Sequence, residues 1–89
     1  MNFEFDPEKS VRNRLKHGID FEEVQALWDD PYVLEIPARR TEEPRYLVIG
    51  MLGNETWSTV IAYRGENIRI ISARRARREE LEWYESHGV

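Results

Sequence analysis

Arg45-Tyr46-Leu47-Val48-Ile49-Gly50-Met51-Leu52-Gly53-Asn54-Glu55-Thr56-Trp57-Ser58-Thr59-Val60-Ile61-Ala62-Tyr63 is the stretch on which the fold turns. Arg45 to Leu52 and Thr56 to Tyr63 are rich in β-branched and aromatic residues, and they flank Gly53-Asn54, a pair suited to a tight hairpin turn. Two antiparallel strands are therefore predicted. Downstream, Arg64-Gly65-Glu66-Asn67 reads as a second turn and Ile68 to Ser72 as a third strand. Ile70 and Ile71 fall on opposite faces of it, which predicts a strand inside the sheet, covered on both sides. Upstream, Tyr32 to Ile36 is a further strand closed by Pro37, and Ala38 to Pro44 reads as an exposed loop. Phe3-Glu4-Phe5 alternates as a short strand.

Helices are predicted around this sheet. Asp6-Pro7 opens the first, with Asp6 as cap and Pro7 at the first helical position, where a missing N–H costs nothing. Val11 and Leu15, four apart, give it a thin apolar stripe. Gly18 stops it after Lys16-His17, cations that suit a helix C-terminus. Asp20-Phe21-Glu22-Glu23 reads as a capping box for a second helix, with Ile19 and Val24 as a hydrophobic staple. Phe21, Val24, Leu27 and Trp28 share its core face, and Asp29-Asp30-Pro31 ends it. From about Ala73 the pattern turns helical again, through Leu81 and Tyr84, and frays at Ser86-His87-Gly88. The expected architecture is α+β, with two N-terminal helices, an antiparallel sheet and a C-terminal helix.

At 89 residues the chain suits a single domain, 1–89. It has no cysteine, which removes disulfides and thiolate chemistry and fits a reducing cytosol. The start, Met1-Asn2-Phe3-Glu4-Phe5-Asp6, lacks the basic opening and apolar run of a signal peptide, and no stretch is long enough to span a membrane. A cytoplasmic location without membrane association is expected. Two separated histidines and the Asp29-Asp30 pair supply no metal-ligand pattern, so neither a metal nor another cofactor is expected.

The net charge is −4, which disfavours nonspecific binding to duplex DNA. Its distribution is uneven. Arg64, Arg69, Arg74, Arg75, Arg77 and Arg78 lie in one stretch with Glu66 as its only acid, whereas Glu79, Glu80, Glu82 and Glu85 follow. If Arg74, Arg75, Arg77 and Arg78 open the last helix, their order opposes the macrodipole. A helix start that already offers N–H groups to anions, reinforced by guanidiniums, points to phosphate binding, most naturally RNA. The alternative is a solvated face laced with local salt bridges.

Certain residues also carry a family resemblance. Phe3-Glu4-Phe5-Asp6-Pro7 with Lys9, then Asn13, Lys16-His17-Gly18, Phe21-Glu22-Glu23 and Asp29-Asp30-Pro31 resemble the opening of BrnT toxins. Arg45, Gly50, Arg64-Gly65 and Ile68-Arg69-Ile70-Ile71-Ser72-Ala73-Arg74-Arg75-Ala76 resemble the remainder. The resemblance implies a RelE-like ribonuclease fold, RNA cleavage that halts translation, and neutralisation by a BrnA antitoxin. It further implies that the antitoxin carries a ribbon-helix-helix region, so operator DNA is met only through that partner. Ala62 departs from the pattern, since many members have Thr two residues before the arginine matched by Arg64.

Metal-free RNA cleavage uses the 2′-OH as nucleophile, and the protein must move its proton and stabilise the charged phosphorane. Arg64 at a strand end, with Arg74 and Arg75 at a helix start, are expected to converge on one phosphate. Arg69 and Arg78 are expected as further RNA contacts. Lys16 and His17 are the candidates for proton transfer or fixed charge, and helix capping explains them equally. Tyr84 is placed to stack on a base or to fill the core. Trp28, Trp57 and Trp83 suit a core or an antitoxin interface, and His87 lies near an end. A catalytically silent nucleic-acid- or partner-binding module is the rival reading.

Overall fold

The computed structural model describes residues 2–38 and 42–87. Within them the elements run β1 (Asn2–Glu4), α1 (Pro7–His17), a 3-10 helix (Glu23–Asp29), β2 (Leu34–Pro37), β3 (Arg45–Leu52), β4 (Glu55–Arg64), β5 (Asn67–Arg75) and α2 (Arg78–His87). The strands form one sheet in the order β1-β5-β4-β3-β2. The α+β expectation holds. The sheet is mixed, however, because β1 pairs with β5 in parallel while the remaining neighbours are antiparallel.

The central hairpin follows the sequence. Leu52 pairs with Glu55 across Gly53-Asn54, and Gly53 adopts a φ of 65° that the turn demands. Register and side-chain alternation then sort the two faces. Trp57, Ile61, Ile68, Ile70 and Ala73 meet Ile19, Phe21, Val24 and Leu27 in the larger core. Leu47 and Ile49 meet Tyr84 of α2 on the other face, with Leu34, Ile36 and Val60 packed against them. Fully buried side chains such as Phe21, Leu27, Ile49 and Ile61 each contribute about 1.5–3 kcal/mol by leaving water. β5 lies between β1 and β4 and β4 is the central strand, but β1 flanks β5 only from Asn67 to Arg69, so Ile70 to Ser72 lie at an edge and not inside the sheet as expected.

The type of the second helix and several boundaries differ from expectation. The segment after Asp20 is a 3-10 helix and not an α-helix, although its capping box is complete: Asp20 Oδ1 accepts from the Glu23 N–H at 2.7 Å and Glu23 Oε1 from the Asp20 N–H at 3.0 Å. Phe21, Val24 and Leu27 recur every three residues, which is the 3-10 period, and all three are buried. Ile19 and Val24 share the same core, as the staple requires. The second strand begins at Leu34 and not Tyr32, because Asp30 draws the preceding residues into a turn: its carboxylate accepts from the Tyr32 N–H and its carbonyl from the Val33 N–H.

The last helix starts at Arg78, not near Ala73. Ala73, Arg74 and Arg75 pair with Thr59, Ser58 and Trp57, and the Ala76 N–H bonds to the Thr56 carbonyl, so β4 holds this segment extended until it has no more partner to offer. At its other end the helix includes Ser86 and His87, where fraying was predicted. Of the loop expected over Ala38 to Pro44, residues 39–41 lie outside the described residues, as does Gly88.

Helix α1 is oriented contrary to its apolar stripe. Val11 and Leu15 are 61% and 83% exposed, while Ser10 and Asn13 are the buried positions. Hydrogen bonds, not apolar contact, decide this. Ser10 Oγ accepts from the Phe21 N–H at 2.9 Å, and Asn13 is bonded to backbone on two neighbouring segments.

Candidate nucleic-acid interface

Asp6 Oδ1 accepts from the Glu8 N–H at 2.9 Å and caps α1, and Gly18 closes it with a φ of 81° and an N–H bonded to the Arg14 carbonyl. What fixes the helix laterally is Asn13. Its Nδ2 donates to the carbonyls of Ile19 at 2.8 Å and Ala73 at 2.9 Å, and its Oδ1 accepts from the Ala73 N–H at 3.2 Å. Strand β1 covers β5 only as far as Arg69, so beyond that point the β5 edge has no strand beside it. The Asn13 amide takes the place of a peptide group there and satisfies both polar groups of Ala73.

Docked in this way, α1 forms one wall of an open groove of about 430 Å³ beside β5, with Lys9, Arg12, Lys16 and His17 on that wall and Ile71 and Ser72 opposite. The spacing of three, four and seven residues puts Lys9, Arg12 and Lys16 on one flank of the helix, and His17 joins them in the groove at its C-terminal end. The β4–β5 register steps from Ile61–Ile70 to Val60–Ser72, leaving Ile71 as a bulge at the groove. Among the described residues, the ion pairs of α1 are Arg12–Glu8, exposed and 4.0 Å long, and those of Arg14 with Glu23 and Asp20. Lys9, Lys16 and His17 therefore present their polar ends to the groove without a carboxylate partner there.

The arginines do not converge as expected. Arg64, Arg69 and Arg74 share one sheet face by alternation, together with Ser72 and Arg45. Arg75 is on the opposite face, its guanidinium 5.5 Å from the centre of the Trp57 ring and ion-paired to Glu55. Arg64 and Arg74 sit at opposite ends of the β4–β5 pair, about 20 Å apart along the strand. Arg64 and Arg69 each have a counterion: Arg64 pairs with Glu43 at 3.0 Å and Arg69 with Glu4 at 2.9 Å. Glu4 accepts in addition from Asn67, and these two hydrogen bonds lower its pKa.

Arg74 is the most committed of them. Its Nη1 and Nη2 donate to the two oxygens of Glu80, both at 2.8 Å. The same carboxylate accepts from Ser58 Oγ at 2.8 Å and from the Arg77 N–H at 2.9 Å. Burial opposes the charge on Glu80, yet these donors, led by Arg74, hold its pKa down at about 2. Glu79 and Glu80 occupy the first turn of α2 and His87 the last, so the helix follows its macrodipole. The reversed polarity inferred from sequence arose from counting strand residues as helix. Arg77 and Arg78 are exposed at the α2 start.

Tyr84 is buried, and its hydroxyl donates to Asp30, which together with burial raises its pKa to about 12. It fills the second core and offers no stacking surface. Trp28 packs edge-on to Phe3, Trp57 is buried and Trp83 is 40% exposed. His87 Nδ1 lies 2.7 Å from the Tyr84 carbonyl. Ala62, in the row between Arg45 and Arg69, is fully buried. Among the described residues no three His, Cys, Asp or Glu side chains gather as a metal site, and no helix is long and apolar enough to cross a membrane.

Sequence reasoning isolated Lys16 and His17 but missed Lys9 and Arg12 as their companions, although the helical spacing was available. Ser72 carried no local signal, since its place depends on the bulge. Nor did Glu80, whose role depends on α2 folding back over Ser58. No curated protein aligns significantly with the chain. The family model described as ribonuclease toxin, BrnT, of type II toxin-antitoxin system matches residues 5–80, a span that holds the whole groove and strands β2 to β5. With the ordered motifs, the groove and this match in agreement, the chain belongs to the BrnT family of ribonuclease toxins of type II toxin–antitoxin systems.

Proposed function

We propose that this chain is a metal-independent endoribonuclease with a RelE-like fold that inhibits translation in the cytoplasm and is neutralised by a BrnA-type antitoxin. Operator DNA is met only through the ribbon-helix-helix region of that partner. The observation that carries the reading is the gathering of Lys9, Arg12, Lys16 and His17 on one wall of an open groove, facing Ser72. Such a wall attracts a phosphodiester and supplies both fixed charge and exchangeable protons.

In the proposed reaction the 2′-oxygen loses its proton and bonds to the adjacent phosphorus, while the bond from phosphorus to the 5′-oxygen breaks. The products are a 2′,3′-cyclic phosphate and a 5′-hydroxyl, so neither water nor a redox partner enters. His17 accepts the 2′ proton or protonates the departing 5′-oxygen, and Lys16 takes the complementary role or stabilises the phosphorane by charge. Lys9 and Arg12 hold the phosphate. Arg69, Arg64 and Arg78 bind flanking phosphates by exchanging their present carboxylate or solvent partners for RNA. Arg74 acts through Glu80 to position α2, and Arg75 steadies the hairpin end through Glu55 and Trp57.

Antitoxin-free protein should cleave single-stranded RNA oligonucleotides in EDTA and leave cyclic phosphate ends. Lys16→Met and His17→Gln should each lower the rate by about 100-fold or more, the usual yield of proton transfer, with unchanged melting. Folded protein that cuts none of a varied RNA panel, or variants that cut as fast as the parent, would overturn the proposal.

A further inference from the structure

The fold leaves one feature of α1 without a purpose. Val11 and Leu15 stand one turn apart and face solvent, 61% and 83% exposed, while the helix holds the sheet through Ser10 and Asn13. A lone exposed leucine needs no explanation. This pair differs because of what flanks it. At 100° per residue, Glu8, Arg12, Lys16 and Lys9 follow in turn round the helix from Leu15 on the groove side, three cations after one acid. Arg14 lies on the other flank, drawn toward Glu23 at 2.7 Å and Asp20 at 3.8 Å. An apolar ridge thus runs beside a row of cations on a chain whose net charge is −4.

We infer that the outer face of α1 is the docking surface for the antitoxin, through a segment with apolar side chains for Val11 and Leu15 and carboxylates for Arg12, Lys16 and Lys9. An antitoxin partner follows from membership of the family; only the link to inhibition rests on the proposed RNA groove. Charge complementarity calls for an acidic segment on that partner and gives its direction. An acidic segment is repelled by Glu79, Glu82 and Glu85 on α2 and attracted to α1. A second copy of this chain is disfavoured as occupant. A two-fold contact through this ridge would bring Arg12 and Lys16 against their own copies. RNA gains nothing from covering Val11 and Leu15.

Size gives the consequence. A specific protein interface buries on the order of 1,200–2,000 Å² in total, whereas an 11-residue helix is only about 16 Å long. The segment must therefore continue past the ridge, and the cations direct it across the groove. Neutralisation follows from occupation: the carboxylates take the places of RNA phosphates.

The test measures affinity of the purified chain for its cognate antitoxin by calorimetry, beside Leu15→Glu and the milder Leu15→Ala, with circular dichroism and melting to verify the fold. Because Leu15 is exposed, both variants should melt within about 2 °C of the parent. Leu15→Glu should weaken antitoxin binding about 100-fold and Leu15→Ala about 10-fold, with RNA cleavage unchanged. In cells, antitoxin should fail to rescue growth from Leu15→Glu toxin. Binding of both variants within about 3-fold of the parent would overturn the inference. So would a dimer of the free chain that Leu15→Glu dissociates while antitoxin affinity stays unchanged. If the parent cuts no RNA, the groove reading fails and the calorimetric arm still decides this one.

Discussion

Replacing Glu80 by Gln should destabilise the domain more than any other single change on α2. Gln keeps the size of the side chain, so the effect isolates charge. In the native chain the carboxylate receives both Arg74 nitrogens at 2.8 Å, Ser58 Oγ at 2.8 Å and the Arg77 N–H at 2.9 Å. It is 6% exposed, so water offers little replacement. Its pKa is lowered from 4.5 to about 2. At about 1.4 kcal/mol per unit, that displacement is worth about 3 kcal/mol. Loss of a charge from a buried pair gives a similar figure, about 3–5 kcal/mol, moderated here because the Arg74 side chain is 26% exposed. The sign follows from linkage. A carboxyl whose folded pKa is depressed contributes fully above its unfolded pKa and loses that contribution as pH falls toward the folded value. Urea unfolding of parent and Glu80→Gln at pH 7 should differ by about 3 kcal/mol, and the gap should close progressively between about pH 4.5 and 2. A double-mutant cycle with Arg74→Met should give a coupling of about 2 kcal/mol. A gap under about 1 kcal/mol at pH 7, or one that persists unchanged at pH 3, would refute the role given to Glu80. It would also return Arg74 to the pool of free cations.

Two further substitutions test the frame that positions the groove. Asn13→Asp removes two donors, to Ile19 and Ala73, and buries a carboxylate beside two carbonyls; it should cost about 3 kcal/mol in chemical denaturation and reduce RNA cleavage even where the domain remains folded, and unchanged stability would show that α1 is held otherwise. Gly50→Ala places a Cβ 3.3 Å from Leu27 Cβ and Cδ2 and 3.4 Å from its carbonyl oxygen, so the 3-10 helix must shift; a loss of about 1–2 kcal/mol in thermal unfolding is expected, and a gain would mean that the contact has slack.

The acidic total and the basic groove are compatible because they act on different scales. Charges separated by more than about 8 Å are largely screened at physiological salt, so a phosphate at Lys16 responds to Lys9, Arg12 and His17 more than to the carboxylates of α2. Four of the six arginines between Arg64 and Arg78 have been drawn into ion pairs with Glu43, Glu4, Glu80 and Glu55, and they bind the sheet and α2 together. The densest run of positive charge in the sequence is thus mostly structural. The sparser one, spread along a helix, is the one left open.

By itself the sequence determined those features whose physics is local. The Gly53-Asn54 hairpin, the Asp6 and Gly18 caps of α1, the Asp20–Glu23 capping box and the ordered family motifs all depend on residues close together in the chain. Tertiary structure decided three things. It made Ala73 to Arg75 a strand, because β4 supplied backbone partners that outweigh the helix propensity of an alanine–arginine run. It turned Val11 and Leu15 outward, because Asn13 answers an unpaired strand edge that lies 60 residues away. And it grouped Lys9, Arg12, Lys16 and His17 around the Ile71 bulge while separating Arg64, Arg74 and Arg75 by face and by length. Periodicity says which side chains share a flank of a helix. Only the packed neighbours say whether that flank meets the core, a groove or water.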